Sequence, residues 1–192
     1  MIPDHSLSGV LPPFVGENPA NRAEASPYLA SMSEFVQRFC TTMERARLLS
    51  GLLKYRSGLA NLMVRDGMQW IDGSFLEEVE ATRKRPPQDI DLITLAHRPE
   101  THQTDQDWEL LFRANIGFFV PSFVKETFHC DAYFIDLDKR ADILIKDVCY
   151  FHGLFSHQRD TLLWKGIVEI PLESDDDIAS TIVEEVLNAQ ET

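Results

Sequence analysis

Asp89 and Asp91 stand two residues apart at the head of an apolar run, Pro87-Gln-Asp-Ile-Asp-Leu-Ile-Thr94. Upstream lies Gln69-Trp-Ile-Asp-Gly-Ser-Phe75, which reads as a strand running into a tight Gly-Ser turn. The expected order is strand, turn, irregular segment, strand. Side chains on a strand repeat every second residue, so Asp89 and Asp91 share a face. Ile90, Leu92 and Ile93 supply the bulk that buries this strand. Two like charges on one buried face repel each other unless a cation sits between them. A hard cation such as Mg²⁺ takes carboxylates of this kind together with substrate phosphate oxygens. Gly73 allows a backbone to approach a phosphate closely, and the Ser74 hydroxyl and nearby N–H groups are donors for it. Without that turn upstream, the Asp pair would read as two solvated aspartates on a hairpin.

A Gly-Ser turn followed by Asp-x-Asp resembles the signature of the polymerase-beta-like nucleotidyltransferase superfamily, above all its small bacterial single-domain members. The resemblance implies an α/β (α+β) fold, a mixed β-sheet with helices packed on it. It also implies that Gly73 and Ser74 hold NTP phosphates and that Asp89 and Asp91 bind divalent metal, two Mg²⁺ or Mn²⁺ ions. A third carboxylate comes from a later strand. Cys130-Asp-Ala-Tyr-Phe-Ile-Asp136 alternates as that strand should, and Asp131, flanked by Cys130 and Ala132, matches the position; Asp136, at the strand's close, is the rival. One departure is length. Residues 75–88 separate Ser74 from Asp89, more than compact members carry, and the excess is Leu76 to Arg85.

Composition narrows the partners. A length of 192 residues fits one domain. No apolar run approaches the ~18 residues of a membrane span, and Met-Ile-Pro-Asp-His has no secretory pattern. Cys40, Cys130 and Cys149 are widely spaced and odd in number, which fits a reducing cytoplasm. The net charge of −13 opposes non-specific binding to nucleic-acid backbones. A nucleotide with its metal, or a protein partner, is the easier ligand.

The remaining chain divides into an extended arm (1–30) and a single nucleotidyltransferase-like domain (31–192). The domain comprises a helical part (31–66), a catalytic core (67–171) and a C-terminal helix (172–192). Ser31-Met-Ser-Glu34 and Thr41-Thr-Met-Glu44 read as capping boxes. The second opens a long helix ending near Gly67, with Leu49, Leu52, Leu53, Ala60 and Met63 as its apolar stripe. Arg45, Arg47, Lys54 and Arg56 are expected beside or opposite that stripe. Asp72 reads as a turn-forming aspartate, with a place in the site as the alternative. Pro99 to Asp107 reads as a loop, and Trp108 and Pro121 each open a helix. Arg140 to Phe155 is a helix with Ala141, Leu144, Ile145, Val148 and Phe151 on its core side. Arg159 and Lys165, at the mouth of a last strand, are candidate triphosphate contacts; exposed basic residues at loop ends are the plain alternative. His152 and His157 lack zinc spacing. Ser174-Asp-Asp-Asp177 reads as a Ser-capped helix start.

The resemblance implies transfer of an NMP from an NTP to a hydroxyl on a protein, a small molecule or a tRNA end, releasing pyrophosphate. The competing expectation is an antitoxin-like or regulatory binding module of a two-gene pair. It would dock a toxin or another neighbouring gene product and have secondary or no catalysis.

Overall fold

In the computed structural model, which describes residues 1–189, five strands form one mixed sheet. They are Tyr28–Leu29 (β1), Gly67–Asp72 (β2), Ile90–Ala96 (β3), Cys130–Asp136 (β4) and Val168–Pro171 (β5), ordered β1–β5–β2–β3–β4. β2 runs antiparallel to β3 and β5, while β3–β4 and β1–β5 are parallel. Seven α-helices among the described residues complete an α+β fold: Met32–Phe39 (α1), Met43–Asn61 (α2), Val79–Thr82 (α3), Asp105–Ala114 (α4), Pro121–Phe128 (α5), Ala141–Phe155 (α6) and Asp176–Asn188 (α7). The C-terminal helix expected over 172–192 is thus seen to Asn188, and residues 190–192 lie outside the described residues. Among the described residues no helix is long and apolar enough to cross a membrane.

Strand alternation sorts the core into two layers. Ile71, Ile90, Leu92, Cys130, Ala132, Val168 and Ile170 pack with α1, α2, α5 and α7. Ile93, Leu95 and Ile135 face the other way, under Leu144, Val148, Phe151 and Phe155 of α6. The arm packs against the domain: Ile2, Val10 and Leu11 are buried, and Leu11 O accepts from Gly166 N.

Several local expectations need correction. Thr42, not Thr41, caps α2, accepting from Arg45 N. That helix stops at Asn61, well before Gly67. Met63 adopts a left-handed φ of 62°, and the N–H groups of Met63 and Val64 return to Ala60 O and Leu59 O. This is a Schellman closure with methionine where glycine is usual, so Gly67 was a false stop signal. α4 begins at Asp105, capped by Thr104, inside the stretch expected to be a loop. On α6, Ile145 is 62% exposed and Ala141 is exposed too, so the inward stripe is Leu144-Val148-Phe151-Phe155. Ser174 and Asp175 cap a different helix from the expected one. Ser174 Oγ accepts from Met32 N and Asp175 Oδ1 from Ser33 N, both at 2.9 Å, at the start of α1.

Arg45 and Arg56, expected outside the stripe, are buried. Arg56 forks onto Asp176 at 2.7 and 2.8 Å, and also donates to Gln69 and to the carbonyls of Pro171 and Leu172. Arg45 forks onto Glu80 at 2.6 and 2.9 Å and donates to Phe75 O and Glu77 O. The segment after the Gly-Ser turn is therefore not irregular. It makes a 3₁₀ turn over Ser74–Leu76 and the short α3, with Phe75, Leu76, Glu77 and Val79 buried. Glu78, Ala81, Thr82 and the end near Lys84 and Arg85 face solvent. Removing the Arg45 guanidinium leaves two buried carbonyls and a carboxylate without their donor. Arg45→Met is expected to lower the unfolding free energy by about 2–4 kcal/mol in urea denaturation. Arg47→Met, on the exposed side of α2, should change it by less than about 0.5 kcal/mol.

Candidate active site

Three carboxylates stand in one row across the sheet. Asp72, the last residue of β2, pairs in register with Asp91 of β3, and Asp91 pairs with Asp131 of β4. Residues paired directly across strands share a face. This is the face on which α6 packs, and the row lies just beyond the α6 contacts, which reach Trp70, Ile93 and Tyr133. Asp89, immediately before β3, joins the row from the same strand line. Burial, and then the charges of Asp89 and Asp131, push the Asp91 carboxyl up to about 6. Burial pushes Asp72 up to about 7 against the opposing pull of Lys165.

Gly73 brings the turn against this row. Its φ of 79° and ψ of −167° belong to a region that only glycine occupies readily. A Cβ there would lie 1.8 Å from Asp91 Oδ2, so the Asp91 carboxylate occupies the space a side chain would need. Ser74 follows at the head of the 3₁₀ turn, half-buried.

Two lysines oppose the four acids. Lys165 is buried, not at an open strand mouth, with Nζ 3.0 Å from Asp72 Oδ1, 3.1 Å from Glu77 Oε1 and 3.4 Å from Gly73 O. Burial disfavours its ammonium, but Asp72 and Glu77 outweigh that and hold its pKa above the usual value. Glu77 is also held by Arg83 and Gln158. Asp72 Oδ1 has no hydrogen-bond partner although Lys165 Nζ lies beside it. Lys125 of α5, half-exposed, reaches Asp89 at 2.5 Å and Asp131 at 3.2 Å.

The expected residues thus divide. Gly73, Asp91 and Asp131 converge, with Asp89 and Ser74 at the margin. Lys165 reaches the group from beneath the turn. Arg159 does not join it: the residue sits in an exposed turn after α6 and forms no ion pair among the described residues. Asp136 is at the far end of β4, opposite Ala96, and is held by Arg98 at 2.8 Å. Asp72, Glu77 and Lys125 are the additions. Asp72 could have been promoted from its place next to Gly73. Nothing in the sequence marks Lys125, because its meeting with Asp89 depends on how α5 returns to the sheet.

The family profile of DUF6932, described as a family of unknown function, matches residues 3–171. The chain belongs to DUF6932. No curated protein matches it. The DUF6932 match spans every residue of the site and ends at the last residue of β5, leaving α7 beyond it.

As the side chains stand, no three acidic, histidine or cysteine groups among the described residues close into a metal-ligating cluster. The donor set of this DUF6932 chain is still of the type a hard divalent ion takes: carboxylates of Asp91 and Asp131 paired on neighbouring strands, with Asp89 beside them. For an acid whose pKa is raised on folding, the native state keeps a proton that the unfolded chain has released. Stability is then greatest below the ordinary carboxylate value and falls as pH rises towards the native value. In metal-free buffer, stability should decline between about pH 4 and 7 as Asp91 and Asp72 ionise. Asp72→Asn should flatten that decline in calorimetric melts; an unchanged slope would mean that Asp72 is not confined.

Proposed function

We propose that this protein is a metal-dependent nucleotidyltransferase of the cytoplasm, moving an NMP from an NTP to a hydroxyl acceptor and releasing pyrophosphate. The observation that carries the reading is the register Asp72–Asp91–Asp131 with Gly73 pressed onto Asp91. Such a row keeps its charges together at a cost in stability that an ordinary structural site has no reason to bear. It also sits beside a turn whose open backbone suits phosphate.

Asp89, Asp91 and Asp131 would hold Mg²⁺ or Mn²⁺, with Asp72 next to them in the row. The bound ion would neutralise phosphate charge and lower the pKa of an incoming hydroxyl. The chain's own groups do the rest. The Gly73–Ser74 turn receives the phosphates through backbone N–H groups and a hydroxyl. Lys165 neutralises Asp72 beneath the turn and ties Gly73 O in place, which makes it a support for the turn more than a triphosphate contact. Asp131 accepts the acceptor proton as the acceptor oxygen bonds to the α-phosphorus. The bond from that phosphorus to the bridging oxygen breaks, and pyrophosphate leaves. The catalysis is positioning and charge stabilisation, with no covalent enzyme intermediate.

A second reading, the binding module of a two-gene pair, has its own support. Ile143, Tyr150 and Leu154 are 43%, 65% and 46% exposed and recur on one flank of α6. With a net charge of −13, that flank suits a basic protein partner carrying an apolar anchor. The two readings separate by experiment. Mg²⁺ with an NTP should raise the melting temperature of the wild type and leave Asp89→Ala/Asp91→Ala unmoved. Label from an α-³²P-NTP should pass to a co-expressed neighbour protein, and Asp91→Asn should cut the transfer by at least about 10²-fold. Equal thermal shifts in both proteins would sink the enzyme reading. A tight complex without label transfer would favour the binding module.

A further inference from the structure

Among the described residues, Lys125 is the one cation that bridges two members of the carboxylate row, Asp89 and Asp131, from a half-exposed position. Its helix is fixed on both sides. Pro121 starts α5, Val124 is buried in the core, and His129 closes the helix in a left-handed conformation just before β4. The lysine is therefore delivered to Asp131 by the same short segment that delivers Asp131 itself. Donation to Asp89, opposed by burial and then reinforced by donation to Asp131, holds the Lys125 pKa above its usual value.

The charges count out simply. Asp72 is matched by Lys165, and Glu77 by Arg83. Three carboxylates remain: Asp89, Asp91 and Asp131. One ammonium among them leaves two negative charges, which one divalent ion neutralises. Two divalent ions and Lys125 together would leave an excess of positive charge before the triphosphate arrives. They would also have to share the Asp89 and Asp131 oxygens that the ammonium already contacts. A divalent ion of this size needs oxygens at about 2.0–2.1 Å in a nearly octahedral set, a demand that an ammonium in the same gap obstructs.

We propose that Lys125 is a built-in cation occupying the place of a second divalent ion, so that this centre takes one Mg²⁺ or Mn²⁺ and not two. The inference rests on the nucleotidyltransferase reading and amends its expected metal count. The single ion is held on the Asp91 side of the row, away from the Asp89 and Asp131 oxygens that the ammonium contacts. The ammonium spans Asp89 and Asp131 and keeps those strand ends together when no metal is bound.

The test is Mn²⁺ binding to the full chain without nucleotide, read from the electron paramagnetic resonance of free Mn²⁺ during titration to millimolar concentration. Wild type should bind one Mn²⁺. Lys125→Met should bind two, with the first roughly tenfold tighter because a like charge has been removed. Lys125→Arg, which keeps the charge, should stay at one. Lys125 is half-exposed, so these variants should fold; Lys125→Gln serves if the methionine variant does not. Two Mn²⁺ on wild type would overturn the inference and leave the metal reading standing. One Mn²⁺ on both wild type and Lys125→Met would overturn it as well. No Mn²⁺ on any variant would remove the metal reading, and this inference with it.

Discussion

The register between β2, β3 and β4 is the constraint on which the rest depends. It sets Asp72, Asp91 and Asp131 side by side on one face, where their charges work against folding. A slip of one residue in any of these strands would exchange the side chains of the two packed layers and carry its aspartate to the opposite face, against the helices α1, α2, α5 and α7. The layers that fix the register are ordinary hydrophobic packing: Ile71, Ile90, Leu92, Cys130 and Ala132 on one side, Ile93, Leu95 and Ile135 on the other. Burial of these side chains, each contributing about 1.5–3 kcal/mol for the larger ones, is what holds acidic groups where electrostatics alone would separate them.

The basic residues then act at chosen points. Arg45 anchors the segment after Ser74 through two carbonyls and Glu80, so Gly73 stays against Asp91. Lys165 anchors the same turn from below through Asp72, Glu77 and Gly73 O. Arg56 does comparable work at a distance, joining α2 to the end of β5 and the start of α7. These guanidinium and ammonium groups sit inside the protein because each has a carboxylate and carbonyls to satisfy it. A buried cation lacking any of them would cost more than its packing returns.

This division explains what the sequence made legible. Elements written in local chemistry were readable: the alternation of β3 and β4, the Ser31 cap, Pro121 at the head of α5, and the proximity of Gly73 to an Asp-x-Asp strand. Features created by chain segments meeting from afar were not. Arg45 and Arg56 look like the polar side of a helix until their partners, 35 and 120 residues away, come into view. Ser174 and Asp175 carry a correct capping signal, but they spend it on α1, 142 residues back. The helix end was misread because Met63 holds the position where glycine is the usual marker. Asp72 was undervalued for another reason: its role depends on burial by Lys165 and on Asp91 as its cross-strand neighbour, and no local pattern encodes either.

The placement of positive charge also bears on what can approach the site. Arg45, Arg56 and Lys165 are buried, so their charges serve carboxylates within the fold and present little to solvent. Their partners Asp72, Glu77, Glu80 and Asp176 are drawn in with them, so the net charge of −13 falls on the rest of the chain. A polyanion arriving without counterions meets repulsion over most of the outer surface. A nucleotide already paired with a divalent ion would carry less charge and meet less of that repulsion. The same field would attract a basic partner, for which the exposed flank of α6 offers apolar side chains. Electrostatics therefore selects in one direction for both readings of the molecule: a metal-bound nucleotide at the row, and a basic protein at α6.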